Sequence, residues 1–424
     1  MSIVSKSKYL NGLQCHKLLW YTYNQKDDIP EPDQATQTIF EQGHQVGQLA
    51  KQLFPGGVEV KSSHDNFAEM LSETEELLKL RKPIFEASFR YNNGFARADV
   101  LNPVGKDSWD IIEVKSSTEV KDINLSDLAF QKYVYEGAGL KINKCHLMYI
   151  NNKYVRKGEV ESSKLFKQKD VTDEVKLLVK EIEQNLGKML NVIKQKESPN
   201  IPIGIHCNKP YNCPLQSVCW GFLPQDNILT LYRLKKEKAF ELIYDGILDI
   251  RDLPESFKAS KNQKIQIDAV NTKNSYIDNK KIQSFLETVQ YPIYALDFET
   301  FMTAIPMYDL VQPYKQVPFQ YSLHILKSKD DNPEHHSFLA DGKMDPRPEL
   351  LKSLKELLQN SGSIMSYNAT FEKRVLKDCS NVYPEYKKWY GEIEKRFIDL
   401  LKPFQSFAYY NPNQQGTASI KAVR

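Results

Sequence analysis

The stretch that most constrains the fold runs from Ile84 to Lys115. Apolar and polar residues alternate there with period two, first through Ile84-Phe85-Glu86-Ala87-Ser88-Phe89-Arg90-Tyr91, then through Phe95–Leu101, then through Trp109–Lys115. That period marks strands, because successive side chains of a strand point to opposite faces. Asn92-Asn93-Gly94 and Pro103-Val104-Gly105-Lys106 separate the runs, and Asn-Gly is the strongest short hairpin signal. The pattern predicts a β-meander carrying Glu86, Asp99, Glu113 and Lys115. Glu113 and Lys115 are two apart and share a face, and Asp99 on the adjacent strand can join them. Two carboxylates and an ammonium are a costly face to build into a sheet unless something uses it.

Helical spacing surrounds the meander. Residues 3–23 carry Leu10, Leu13, Leu18, Leu19, Trp20 and Tyr21 at near-helical intervals, with Cys15 among them. An amphipathic helix is predicted over 36–54, stopped by Pro55-Gly56-Gly57 and holding His44 at its middle. Further helices are predicted over 67–80, 124–138 and 171–196. The second of these stacks Gln131 and Tyr135, four apart, on one face. Lys144–Ile150 reads as a strand, with Lys153–Val155 as its continuation, and Pro202, Pro210 and Pro214 keep the Cys207–Cys219 segment irregular. Residues 223–290 alternate helical pieces (Leu229–Tyr244, Ser284–Val289) with Lys/Asn-rich text and read as a connector. From Tyr291 onward strands (Tyr291–Phe298, Phe319–Ile325, His335–Leu339, Ile364–Tyr367) alternate with helices (Pro348–Asn360 and from Thr370), which predicts an α/β sheet. The expected class is α/β (α+β), in three parts: 1–222, 223–290 and 291–424.

Composition sets bounds. The 424 residues include 41% hydrophobic and 26% charged side chains with a net charge of +3, ordinary values for a globular chain. A polyanion site, if present, must be local. Apolar runs such as Tyr291–Leu296 fall far short of the ~20 residues a membrane span needs, and Met1–Lys8 lacks an apolar signal core. The expected location is the cytoplasm, with no membrane partner. Six cysteines are too few for a disulfide scaffold in a chain this long.

Three constellations carry chemistry. Asp99, Glu113 and the carbonyl of Val114 offer the oxygen ligands that a hard cation such as Mg²⁺ prefers, and Lys115 is a compact charge able to orient a water or meet developing negative charge. A Glu-x-Lys pair also occurs in strands simply as a solvated ion pair. Cys207, Cys213 and Cys219 recur at six-residue intervals, far in sequence from Cys15. Zinc knuckles use shorter Cys pairs. Four widely spaced thiolates with Pro214 after Cys213 fit a cubane iron–sulfur cluster better, with zinc and unligated cysteines as the alternatives. Asp297 and Glu299 follow an apolar strand on a shared face, and Glu372 opens a helix after a later strand. Gly246–Pro254 fits either a small helical hairpin that grips a DNA backbone or a spacer.

Residues 1–222 resemble the RecB-type nucleases with a PD-(D/E)XK core, a family that includes the CRISPR-associated iron–sulfur exonucleases. The resemblance rests on Cys15, His44, Asp99, Glu113-Val114-Lys115, Gln131-x-x-x-Tyr135, Cys207, Cys213 and Cys219. It implies a restriction-endonuclease-like fold. His44, Asp99, Glu113 and the Val114 carbonyl would bind Mg²⁺ or Mn²⁺, and Lys115 would be catalytic. Gln131 and Tyr135 would hold the DNA backbone or order the lysine. A [4Fe–4S] cluster on the four cysteines would staple the domain's ends. Leu296-Asp297-Phe298-Glu299-Thr300 with Tyr367-Asn368-Ala369-Thr370-Phe371-Glu372 resembles the DEDD 3′–5′ exonucleases, which implies a ribonuclease-H-like sheet with metal ligands at Asp297, Glu299 and Glu372. Glu372 stands where that family has Asp. Its last motif would lie tens of residues after Gly416–Lys421, whereas this sequence stops at Arg424, so a truncated, impaired exonuclease domain is expected. Asp399 reads as a fold residue. The expected function is a metal-dependent nuclease acting on single-stranded or end-containing DNA at Asp99, Glu113 and Lys115. The alternatives are a non-catalytic nucleic-acid-binding or assembly module, and an exonuclease working through the C-terminal part. Protein partners in DNA repair or defence are not specified.

Overall fold

In a computed structural model, which describes residues 2–62 and 66–423, the meander forms as the alternation requires. The first sheet contains β1 (Val4–Ser5), β2 (Val58–Glu59), β3 (Ile84–Tyr91), β4 (Gly94–Val104), β5 (Ser108–Lys115), β6 (Lys141–Ile150) and β7 (Phe166–Asp170). Its order is β2-β3-β4-β5-β6-β7, with β1 beside β4. β3, β4 and β5 pair antiparallel, while β5 and β6 pair parallel. A parallel pair needs a crossover, supplied here by a helix (Asp122–Gly137) that is the fifth in the chain.

Tyr91 pairs with Gly94, so the hairpin loop is Asn92-Asn93 and Gly94 already belongs to β4. Asn92 takes a φ of 45°, a left-handed conformation that asparagine tolerates. Gly94 is needed for a different reason: a Cβ there would lie 2.9 Å from Cγ2 of Val134.

The helices of this part are α1 (Lys6–Gln14), α2 (His16–Asn24), α3 (Gln34–Ala50), α4 (Phe67–Leu78), α5 (Asp122–Gly137), α6 (Ser162–Leu165), α7 (Thr172–Ile193) and α8 (Gln216–Cys219). Tyr9, Leu19, Phe130, Val134, Leu186 and Met189 form one core with Ile84, Leu101, Ile111 and Leu147. Val46 and Ala50 of α3 form a second with Phe85, Val100, Ile112 and Met148. Neighbouring strand residues, Ile111 and Ile112 among them, fall in different cores, as strand alternation demands. The expected helix over 36–54 ends at Ala50, followed by a 3₁₀ turn at Lys51–Leu53. Lys153–Val155 does not continue β6, and β7 was not legible because four of its five residues are exposed.

By contact density the chain falls into two units, Met1–Gly221 with Thr303–Tyr314, and Phe222–Met302 with Lys315–Arg424. Residues 223–290, expected as a connector, are part of the second unit. Residues 303–314, inside the stretch expected for the second domain, cluster with the first: Arg156 Nη1 donates to the carbonyls of Pro306 (2.9 Å) and Met307 (2.6 Å), and the Tyr314 hydroxyl donates to the Ser116 carbonyl.

The second unit contains α9 (Lys236–Tyr244), α10 (Lys261–Thr272), β8 (Tyr276–Ile277), α11 (Asn279–Leu286), β9 (Ile293–Phe301), β10 (Val317–Leu326), β11 (Glu334–Leu339), α12 (Arg347–Leu357), β12 (Ser363–Ser366), α13 (Thr370–Val382), α14 (Lys387–Ile393), β13 (Phe397–Asp399), α15 (Leu401–Gln405), β14 (Tyr409–Tyr410) and α16 (Ile420–Val423). Its main sheet has the order β11-β10-β9-β12-β13, antiparallel across β9, β10 and β11 and parallel across β9, β12 and β13. Tyr294, Leu296 and Phe298 of β9 pack against Leu350, Leu354 and Leu376, which turns Asp297 and Glu299 outward. The Gly246–Pro254 phrase is no helical hairpin. It holds a single 3₁₀ turn, Ile250–Asp252, capped by the Asp249 side chain. Among the described residues, no helix is long and apolar enough to cross a membrane.

Candidate functional site

The pairing of β4 with β5 runs from Val104 opposite Ser108 to Val100 opposite Ile112. Beyond that point a side chain replaces the backbone partner: Asp99 Oδ2 accepts the Val114 N–H at 2.7 Å. This fixes Asp99 beside Glu113-Val114-Lys115, where strand parity put it. A cavity of about 150 Å³ opens alongside, lined by His44 of α3 and Lys51 of the turn that follows it, together with Glu86, Asp99 and Val114. Glu86 sits within β3 at a φ of 60°, an uncommon conformation for a residue with a side chain, and pairs with Arg97 at 2.8 Å.

Behind the cavity lies a buried ionic cluster. Glu113 is 2% exposed. Its Oε1 accepts from Lys115 Nζ at 2.7 Å and from Lys6 Nζ at 2.8 Å, and its Oε2 accepts from Gln131 Nε2 at 2.7 Å. Asp127 accepts from Lys115 Nζ at 2.7 Å and from Gln131 Nε2 at 2.9 Å. Three carboxylates (Asp99, Glu113, Asp127) thus face two ammonium groups. Burial, then the Asp127 and Asp99 charges, push the Glu113 carboxyl above its usual range against the pull of the lysines. Burial likewise raises Asp99, opposed by Lys6 and Lys115. Burial would lower the Lys115 pKa, but Asp127, Glu113 and Asp99 outweigh it and keep the ammonium charged. Asp127 is held low despite its burial, because Lys115 and Lys6 both face it.

Lys6 and Asp127 escaped the sequence reading. Asp127 carried a signal, since it lies four residues before Gln131 on the same helix face. Lys6 carried none: it lies 107 positions from Glu113. Of the alternatives expected for Gln131, its position agrees with ordering the lysine, while Tyr135 lies apart from both. Gln131 is fully buried, so it cannot hold a DNA backbone; it fixes Glu113 and shares Asp127 with Lys115. Tyr135 is fully buried too. Its hydroxyl donates to the Ala87 carbonyl at 2.6 Å, so it straps α5 to β3 and reaches neither Lys115 nor solvent.

Cys15, between α1 and α2, lines one small, partly open cavity with Cys207, Cys213 and Cys219, and none of the four forms a disulfide. Burial, reinforced by the other three sulfurs against a backbone N–H from Leu215, pushes the Cys213 thiol up to about 11. A cation at the centre of such a set would reverse that effect, because a coordinated thiol is deprotonated outright. Cys145 and Cys379 are buried elsewhere, in β6 and α13.

In the second unit Glu372 is 3% exposed and its Oε2 has no hydrogen-bond partner. Burial, with the charges of Asp297 and Asp399, pushes its carboxyl up to about 7. Asp399 Oδ1 accepts the backbone N–H groups of Asn368 (2.9 Å) and Leu401 (3.0 Å), shaping the turn that presents Glu372. Glu299, two residues from Asp297, shares its exposed face. Among the described residues, no three His, Cys, Asp or Glu side chains are already set as a metal-binding group. What the three clusters offer is donor chemistry: hard oxygens in two of them, soft thiols in the third.

A family model described as a domain of unknown function (DUF2779) matches residues 294–419, a span that contains Asp297, Glu299, Glu372 and Asp399. Among solved structures, a crystal structure of SSO0001 is similar at 13% identity with a TM-score of 0.26, covering 53% of this chain and 88% of that one. Comparison with curated proteins gives no match.

Proposed function

We propose that this chain is a metal-dependent nuclease hydrolysing DNA phosphodiester bonds, with its reaction centre in the first unit. The observation that carries the reading is the junction of Asp99, Glu113 and Lys115 beside a cavity that His44 also lines. On this reading the first unit is a restriction-endonuclease-like PD-(D/E)XK core related to the RecB-type and CRISPR-associated iron–sulfur nucleases. His44, Asp99, Glu113 and the Val114 carbonyl would hold Mg²⁺ or Mn²⁺, which would supply an activated water and an electrophile toward a phosphoryl oxygen. The excess of carboxylates over ammonium groups favours a further cation.

This chain's own residues would do the rest. Asp127 and Gln131 hold Lys115 and Glu113 in place. Lys115, kept charged by its neighbours, would orient the attacking water and meet the charge that develops on phosphate. Lys6 would lend a second positive charge to the same carboxylate. Cys15, Cys207, Cys213 and Cys219 would carry a [4Fe–4S] cluster as a structural tie. The test is degradation of labelled single-stranded and blunt-ended DNA with Mg²⁺ or Mn²⁺. Lys115→Ala should abolish it, and undiminished cleavage by that variant would move the chemistry elsewhere.

One observation favours a second centre. The orphaned Glu372 oxygen lies close enough to Asp297 and Asp399 for their charges to raise its carboxyl, which is the environment a cation would relieve. On that reading the second unit is a ribonuclease-H-like exonuclease domain with Asp297, Glu299 and Glu372 as ligands. Cleavage that survives Lys115→Ala and is lost in Asp297→Ala would establish it.

A further inference from the structure

The second unit carries a cleft that neither acidic centre explains. It measures about 470 Å³ and is lined by Tyr232, Arg233, Lys281, Phe285, Lys402 and Ser406, among others, with no carboxylate in its wall. The cations converge from three places in sequence: the turn before α9, the helix α11, and the helix α15. Of the three, Lys281 has a counter-charge, Asp278, at 3.1 Å. Like charges brought together in a concave wall repel one another, and an anionic ligand removes the repulsion.

The aromatic part is held in place. The Tyr232 ring meets Phe407 edge-on at 4.7 Å. Its backbone N–H donates to Gln266 Oε1 at 2.7 Å, and its hydroxyl donates to the Gln405 carbonyl at 3.3 Å. Gln266 is fully buried and donates in turn to the Thr230 carbonyl at 2.9 Å. Arg233 has a φ of 51°, a region costly for a residue with a Cβ, and its guanidinium lies 5.2 Å from the centre of the Tyr232 ring. A guanidinium set over an aromatic ring can still offer N–H groups to a phosphate in its plane. Phe285 adds a half-buried apolar surface.

We infer that this cleft binds a phosphate-bearing nucleotide unit, with the phosphates on Arg233, Lys281 and Lys402 and the base against Phe285 and the rim of Tyr232. The volume lies in the range of small-ligand pockets, ~300–1,000 Å³. Cations alternating with aromatic rings are the arrangement that holds single strands without reading sequence. The same chemistry comes from two sources, a nucleic-acid strand or a free nucleoside triphosphate. The inference stands on the cleft itself and holds whether or not the first unit cleaves DNA.

The experiment measures binding in EDTA, so that no metal-dependent cleavage intervenes. The full-length chain is titrated into a fluorescein-labelled thymidine oligonucleotide, and separately into a fluorescent ATP analogue, with anisotropy read across a salt series. Lys281→Gln/Lys402→Gln is compared with wild type, and Phe285→Ala separately, each with a thermal melt to establish that the fold persists. For a strand site, the double variant should weaken the oligonucleotide about tenfold or more and flatten the salt slope by about 0.7 for each lost phosphate contact, while Phe285→Ala weakens binding at an unchanged slope. For a triphosphate site, the same losses appear with the ATP analogue and not with the oligonucleotide. If folded variants bind both probes as wild type does, the inference is wrong. If wild type binds neither probe, it is equally wrong. Wild type that binds a probe in EDTA but cleaves no DNA in Mg²⁺ would count against the proposed nuclease centre and not against the cleft.

Discussion

At the scale of single residues, strand parity made Asp99, Glu113 and Lys115 legible, because a meander with alternating side chains leaves little choice of face. Lys6 and Asp127 were not legible in the same way: their relation to Glu113 exists only once α1 and α5 have packed on the sheet. Tyr135 illustrates the opposite error. A tyrosine four residues from a polar site residue on one helix face suggests a shared role, yet the helix is buried deeply enough that its hydroxyl is used on a strand carbonyl. Tyr135→Phe should therefore cost about 1–2 kcal/mol in urea unfolding, the price of leaving the buried Ala87 carbonyl without its donor. DNA cleavage per folded molecule should stay within about twofold of wild type. A stable Tyr135→Phe protein with a large loss of rate would return the hydroxyl to the reaction centre.

At the scale of elements, regular alternation and strong amphipathicity were readable, and mixed burial was not. α10 hid in polar text because it buries Gln263 and Gln266 alongside Ile265, Ala269 and Val270, and its glutamines satisfy backbone groups instead of facing water. β13 hid because it is three residues long. The start of α12 gives a testable case. Arg347, 4% exposed, donates to Asp345 at 2.6 Å through Nη2, and the Tyr383 hydroxyl at the end of α13 donates to the same carboxylate at 2.9 Å. Burial opposes the Asp345 charge, but Arg347 overrides it and holds the carboxyl below its usual range. A carboxyl depressed in the folded state contributes stability that is complete above the unfolded value, about pH 4, and is lost as pH falls through the lower folded value. Asp345→Ala should destabilise the second unit by about 3 kcal/mol near pH 7, and the gap from wild type should close under acid. A gap that stayed constant from pH 7 to pH 3 would show that the carboxylate's charge is not the source.

At the scale of the whole molecule, a mixed α/β chain followed from the sequence, but the membership of residues 303–314 in the first unit did not, since no local pattern announces where a loop between two strands will pack. The cysteines bear on this scale, because Cys15 and Cys207 are 192 positions apart (207 − 15) and a tie between them closes most of the first unit into a loop. In the chain-entropy account, a cross-link over so long a loop removes on the order of 5 kcal/mol from the unfolded state, a large share of the ~5–15 kcal/mol that stabilises a typical domain. If the four thiols carry a [4Fe–4S] cluster, protein purified without oxygen should be brown with about four irons per chain. Cys213→Ser should lose that iron and lower the melting of the first unit while sparing the second. A purely structural tie predicts that the loss falls on stability before chemistry: the variant fraction that remains folded should still cleave DNA. Stoichiometric zinc with no iron would replace the cluster with a different tie at the same residues. A stable, folded Cys213→Ser chain without cleavage would instead place the metal in the reaction and not in the architecture.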